Sequence, residues 1–223
     1  MTKELLIQAI LKLMAGIVIL GALLFIPAGT FSYWNGWLFL AVLFIPMFAA
    51  GIIMMFKNQE LLKKRLNARE EQAEQKQVVL FSGLMFIAAF VVAGLNFRMK
   101  WFVMPKWAIL LATIIFLIAY ILYAEVIREN EFLSRTVEVQ EHQKVVDTGL
   151  YGIVRHPMYS TTLLLFGAMP WVLGSPISFL IMLIYIPIIV KRIKNEEQVL
   201  KEGLDGYADY CERIRYRIIP FIY

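Results

Sequence analysis

The sequence is poor in the residues that build most soluble active sites. It has one cysteine, Cys211, and two histidines, His142 and His156, among 223 residues. A single cysteine excludes an internal disulfide and any multi-cysteine metal centre, and no metal site is expected. Charge is scarce as well: Asp, Glu, Lys and Arg together make up 17% of the chain, against 60% apolar residues. A mean hydropathy of +0.68 is too high for an ordinary soluble domain and suits a polytopic membrane protein. There is no internal repeat and no low-complexity tract. The net charge of +5 comes from residues scattered at span ends. Such residues face anionic lipid headgroups, and no nucleic-acid partner is expected.

What the chain does have is long apolar runs, several near the roughly 20 residues that cross a bilayer as a helix. Spans are expected near Leu5–Ile26, Gly36–Phe56, Val78–Phe97 and Trp107–Ile127. Two shorter ones follow near Met158–Leu173 and Ile177–Val190, joined at Ser175-Pro176 as a tight helical hairpin. Each short span contains a proline, Pro170 or Pro187, and interrupted segments of this kind line sites rather than lipid. The expected fold is therefore an all-α polytopic membrane protein of about six transmembrane helices. Residues 1–127 would form an N-terminal bundle, and 128–223 a C-terminal core with the hairpin and a tail. The N-terminal run is long and holds Lys12, so it reads as a span and not as a signal peptide. Trp34, Trp37, Trp101 and Trp107 fall at span ends, as aromatic belts do. The charged run Lys57–Gln77 reads either as an amphipathic surface helix, with Leu61, Leu62 and Leu66 on one face, or as a solvated linker.

Basic residues set the orientation. Lys3 and the segments 57–77, 128–157 and 191–223 hold 18 of the 22 Lys and Arg. That side, with both termini, is placed in the cytoplasm. The short basic segment 98–106 on the other side runs against the rule.

Polar side chains at a bilayer boundary cost free energy unless they are solvated, paired or used. Two clusters stand out. The first is Gly149-Leu150-Tyr151-Gly152-Ile153-Val154-Arg155-His156-Pro157-Met158-Tyr159. Its glycines permit a close turn, and Pro157 suits the first turn of a helix. The N–H groups of that helix start would receive a carboxylate or phosphate. Arg155 offers a planar fork, and Tyr151 and Tyr159 offer faces for a cation. Alternatively the segment is an interfacial cap whose Arg and His reach headgroups. The second cluster is Lys191-Arg192-Ile193-Lys194-Asn195-Glu196-Glu197. Arg192 and Glu196 share a helical face and read on spacing as a solvated pair, or as part of a site for a cationic ligand. Tyr207 and Tyr210 share a face too and read as packing for the aromatic, basic tail.

The combination is more specific than its parts. Gly-x-Tyr-x-x-x-Arg-His-Pro-x-Tyr, an apolar hairpin, Arg-x-x-x-Glu-Glu, Gly-Tyr-x-x-Tyr and Arg-Tyr-Arg-Ile-Ile-Pro follow one another. From about Glu138 to Tyr223 the chain resembles the isoprenylcysteine carboxyl methyltransferase family, within a wider group that includes phospholipid methyltransferases. The resemblance implies an integral membrane enzyme that uses S-adenosylmethionine. Its cofactor would sit in a cytoplasmic pocket, and a tunnel between helices would admit a lipophilic small-molecule or lipidated substrate from the bilayer. Residue by residue, it implies that a strand-like Gln143-Lys144-Val145-Val146 lines the cofactor. Tyr151, His156, Tyr159 and Glu196 would contact it. Arg155, Arg192 and Glu197 would be the catalytic or substrate-orienting group, with the order inside the Glu pair open. The acceptor is a carboxylate on this reading, and a phospholipid or lipid amine on the alternative one.

Two other functions compete. Membrane sterol and enone reductases, which use NADPH, carry Arg-His-Pro-Asn-Tyr followed by Gly and an acid. Here Met158 replaces the Asn, and Ser160 and Thr161 follow the Tyr. The third possibility is a non-catalytic lipid-binding or assembly factor on the same scaffold.

Overall fold

The structure is a computed structural model in which residues 3–66, 73–133 and 139–223 are described. Its elements are α1 (Lys3–Ala28), α2 (Trp34–Lys57), α3 (Gln59–Leu66), α4 (Ala73–Met99), α5 (Lys106–Glu129), α6 (Pro157–Val172), α7 (Pro176–Met182), α8 (Tyr185–Gly203) and α9 (Tyr207–Arg213). A 3-10 turn at Gly149–Gly152 precedes α6. No described residue lies in a strand.

Length and composition mark five candidate spans among the described residues: α1, α2, most of α4, α5, and α7–α8 taken together. The sixth expected span, α6, has only 16 residues. At about 1.5 Å per residue it is roughly 24 Å long, shorter than a hydrocarbon core of about 30 Å. It nonetheless forms the hairpin expected from Ser175-Pro176. Gly174 turns the chain at φ +72°, and the Ser175 hydroxyl caps α7 by accepting from the Ser178 N–H at 3.3 Å. The second arm breaks at Leu183-Ile184. Pro187 has no N–H for the carbonyl four residues earlier, which explains the break there.

The N-terminal helices meet by shape. A Cβ on Gly94 of α4 would stand 2.5 Å from the Leu24 carbonyl oxygen of α1, so only glycine permits this approach. Ala89 and Ala93 on the same stretch are fully buried. Small residues at such seams let backbones approach within a membrane. Around them one apolar core runs from Leu20 and Phe39 through Phe116 and Val172 to Ile189 and Ile218.

The charged run after α2 divides. Residues 59–66 form α3, whose Leu62 and Leu66 pack against Leu5 and Met55, while 67–72 lie outside the described residues. The part that can be described is an amphipathic helix and not a solvated linker. At the hairpin end of the bundle, buried polar groups pin the turn. The Tyr33 hydroxyl donates to Leu173 O at 2.7 Å, Asn35 to Val172 O at 3.0 Å, and Asn96 to Gly174 O at 3.0 Å.

Candidate functional site

The other end of the bundle holds the two polar clusters. Asn130, which follows α5, turns the chain: its Oδ1 accepts from the Phe132 N–H and its amide donates to the Tyr151 hydroxyl at 3.0 Å. Gln143 closes a turn by accepting the Gln140 N–H at 2.8 Å. Gln143–Val146 is irregular backbone and not the strand-like stretch expected, since no strand lies among the described residues to pair with it. Gly149 takes φ +54°, with the Glu129 carboxyl carbon 3.1 Å from where a Cβ would stand. A side chain there would be strained and crowded.

The centre of the site is a buried carboxylate. Glu197 on α8 is 3% exposed. Its Oε1 accepts from Arg155 Nε at 2.8 Å and Nη2 at 2.7 Å, and lies 3.3 Å from His156 Nε2. Its Oε2 accepts from both Arg217 Nε and Nη2 at 2.9 Å. A buried charge is tolerated only when paired and hydrogen-bonded, and here two guanidinium forks meet one carboxylate. Burial works against the charge on Arg217, but Glu197 and, after it, Tyr223 together outweigh burial and raise the Arg217 pKa. The third nitrogen of Arg155, Nη1, donates to the carbonyls of Ile214 and Arg215 at 2.7 and 2.9 Å.

The tail closes over the start of α6. The Arg155 and His156 N–H groups donate to Tyr216 O and Arg217 O at 2.9 and 2.8 Å, and Ser160 Oγ donates to Ile218 O at 2.6 Å. The helix start was expected to receive a carboxylate or phosphate. Tail carbonyls take the two N–H groups leading into it, Pro157 has none, and the Tyr159 N–H bonds to His156 O.

In front of Glu197 lies a second layer. Glu196 is its neighbour in sequence, but successive helical residues point about 100° apart. Its side chain, 24% exposed, accepts from the Tyr159 hydroxyl. That hydroxyl in turn accepts from Arg192 Nε at 2.9 Å. The His156 ring stacks on Tyr159 at 5.6 Å, with Nδ1 3.9 Å from Glu196 Oε1. One imidazole thus faces both carboxylates.

A cleft of about 810 Å³, counting its open mouth, lies before this layer. Its walls include Gln143, Lys144, Val145, Val146, Tyr151, His156, Tyr159 and Glu196, together with Arg155 and Arg192. Every residue expected at a cofactor therefore borders one cavity. Glu197 does not border it and stands behind. At the far end Leu200, Leu204, Tyr207 and Tyr210 form an apolar, aromatic wall. Burial raises the pKa of the Tyr151, Tyr207 and Tyr210 hydroxyls well above the usual range, so all three stay protonated. The Tyr210 hydroxyl donates to Tyr151 O at 2.8 Å and ties α9 to the 3-10 turn. Sequence reasoning missed Arg217, Asn130 and Tyr210 as builders of the site. The Arg-Tyr-Arg alternation of the tail was visible, but no spacing rule connects residue 217 with 197.

Residues 109–202 match the model of the isoprenylcysteine carboxyl methyltransferase (ICMT) family. The matched stretch, less than half of the chain, is similar to this family. It begins in α5 and ends in α8, so it takes in the 3-10 turn, the Arg-His-Pro start of α6 and the Glu pair. The chain is also similar to the mouse Delta(14)-sterol reductase TM7SF2, at 29% identity over 93 residues. That segment is 40% of this chain but only 22% of the mouse protein. The ICMT match and the apolar helices together describe a multi-pass integral membrane protein.

Proposed function

We propose that this protein transfers the methyl group of S-adenosylmethionine to the carboxylate of a lipophilic acceptor drawn from the bilayer. The observation that carries the proposal is the single cleft bordered by all the residues that the resemblance assigns to the cofactor. The donor set suits the cofactor. Glu196 and His156 match an ammonium or ribose, Lys144 matches a carboxylate, and the wall of Leu200, Leu204, Tyr207 and Tyr210 matches a flat base. When bound, the cofactor supplies an electrophilic methyl group.

The protein's own task is alignment. Tyr159 is fixed between Arg192 and Glu196, so the face it presents to the cleft is set before any ligand arrives. Arg192 borders the cleft and orients the acceptor headgroup. Arg155 and Glu197 were expected to act on the acceptor. We assign them instead to positioning, because Nε, Nη1 and Nη2 of Arg155 all bond within the protein and Glu197 lies behind the cleft wall. This arrangement also favours a carboxylate acceptor over an amine. A protonated amine needs a base; Glu197, held by two arginines, is a poor one, and Glu196 and His156 are given to the cofactor on this reading. A carboxylate is already ionised and needs none.

Titration calorimetry with S-adenosylmethionine tests the site. His156→Ala and Glu196→Ala should each weaken binding by about 1.5–3 kcal/mol, the worth of a hydrogen bond to a charged group. Unchanged affinity in both, with the fold intact, refutes the assignment. Arg192→Lys keeps the charge and loses the fork, so turnover should fall while cofactor affinity holds. Transferred methyl groups should be released by alkali as esters are, and alkali-stable label would mean N-methylation. The similarity to a sterol reductase favours one second reading, NADPH-dependent reduction in the same cleft, in which NADPH absorbance would fall on adding an enone. The cleft end with both termini is placed in the cytoplasm. Cysteines introduced at Lys64 and Glu202 should label from that side, and labelling from outside overturns the topology.

A further inference from the structure

The end of the bundle opposite the cleft carries charge that the methyl-transfer reading does not use. There α1 and α4 end, α2 and α5 begin, and the α6–α7 turn crosses. The connecting segments 29–33, 100–105 and 173–175 contain no Asp or Glu, yet Arg98, Lys100 and Lys106 gather there. A basin of about 1280 Å³, counting its open mouth, lies among them. Asn35 and Asn96 line it, and both are held by protein carbonyls, Asn35 by Val172 and Asn96 by Phe102 and Gly174. These amides need no ligand.

The cations are different. Arg98 and Lys100 line the basin, are exposed, and form no ion pair with a described residue. Arg98 reaches from α4 over the α1–α2 turn. Its guanidinium carbon stands 3.7 Å from where a Cβ of Gly29 would be, and Gly29 itself has φ +69°. The guanidinium thus lies across the turn at ordinary van der Waals distance. Trp34, Phe102 and Val103 also line the basin, and Trp101 and Trp107 stand exposed nearby. Such an aromatic belt marks headgroup depth. Two cations at that depth, on a face without a carboxylate, call for an anion from outside the protein.

We propose that this basin is a binding site for an anionic phospholipid. Arg98 grips the phosphate with its fork, Lys100 adds a second charge, and Phe102 and Val103 lie against the first methylenes of the acyl chains. The site is independent of the cleft. It also gives the basic segment 98–106, which runs against the expected orientation, a local reason to be basic.

The test uses the purified full chain in a neutral detergent, titrated with phosphatidylglycerol or phosphatidylcholine. Native mass spectrometry should show one phosphatidylglycerol retained at saturation, and the thermal midpoint should rise with that lipid and not with phosphatidylcholine. Arg98→Gln combined with Lys100→Gln should weaken retention roughly tenfold or more, as expected for lost charged hydrogen bonds. Lys191→Gln, at the other end of the bundle, should leave it unchanged. Arg98→Lys alone should retain the lipid in part, which separates lost binding from a damaged fold. Graded, unsaturable lipid uptake, or equal retention by wild type and the double variant, overturns the proposal.

Discussion

The seam between α1 and α4 and the junction of α6, α8 and the tail are both buried, but different forces close them. At the first, glycine and alanine let two backbones meet, and no ion pair joins the helices among the described residues: Gly94 lies against Leu24 and Ala28. At the second, the chain surrounds a carboxylate with Arg155, Arg217 and His156. Lipid supplies no hydrophobic drive between helices, so shape must suffice where no chemistry is required. A charge network at such depth is costly, and one partner cannot be removed without exposing that cost. The first region can be loosened. The second is either complete or absent.

The comparison yields predictions of graded size. Glu197→Gln keeps the shape and removes the charge, leaving Arg155 buried without its counter-ion. We expect about 3–5 kcal/mol of destabilisation, read as a large fall in the thermal midpoint in detergent, with cofactor binding lost as well. A wild-type midpoint would mean that the junction is held by packing alone. Tyr159→Phe should be milder and of another kind. It removes the link between Arg192 and Glu196, so cofactor affinity should fall by about 1.5–3 kcal/mol while the midpoint moves little. Gly94→Ala should reverse that pattern. Overpacking costs about 1–3 kcal/mol, so the midpoint should drop with cofactor affinity unchanged. Glu60→Gln breaks an exposed pair with Lys63 on α3. Exposed pairs of this kind contribute little, and no resolvable change in midpoint or binding is expected.

The two regions also differed in how far the sequence disclosed them. Runs of apolar residues located α1, α2, α4 and α5 within a few residues, because span length is set by the bilayer and not by neighbours. The hairpin was legible from Ser175-Pro176. The break before Pro187 was only hinted at, since a proline shows where a helix weakens and not how it bends. At the site, a resemblance supplied the residues that border the cleft. Periodicity alone left Arg192 and Glu196 as an ordinary surface pair. The division of labour between Glu196 and Glu197 depended on which helix face α8 turns inward, and that is set by packing. The bonding of Arg155 was hidden for a related reason. A sequence shows a cation beside a proline, but not the carbonyls of residues 214 and 215 that occupy it.

Those carbonyls set a schedule. Glu197 follows Arg155 by 42 residues, and the Ile214 and Arg215 carbonyls follow it by 59 and 60. At a translation rate of about 5–20 residues per second, Arg155 waits roughly 3–12 s for its last partners. By then every candidate span among the described residues has been synthesised, ahead of the tail that closes over the start of α6. The spans of a nascent chain are thus made before its pocket is finished, and competence to bind a ligand waits on residues 214–217.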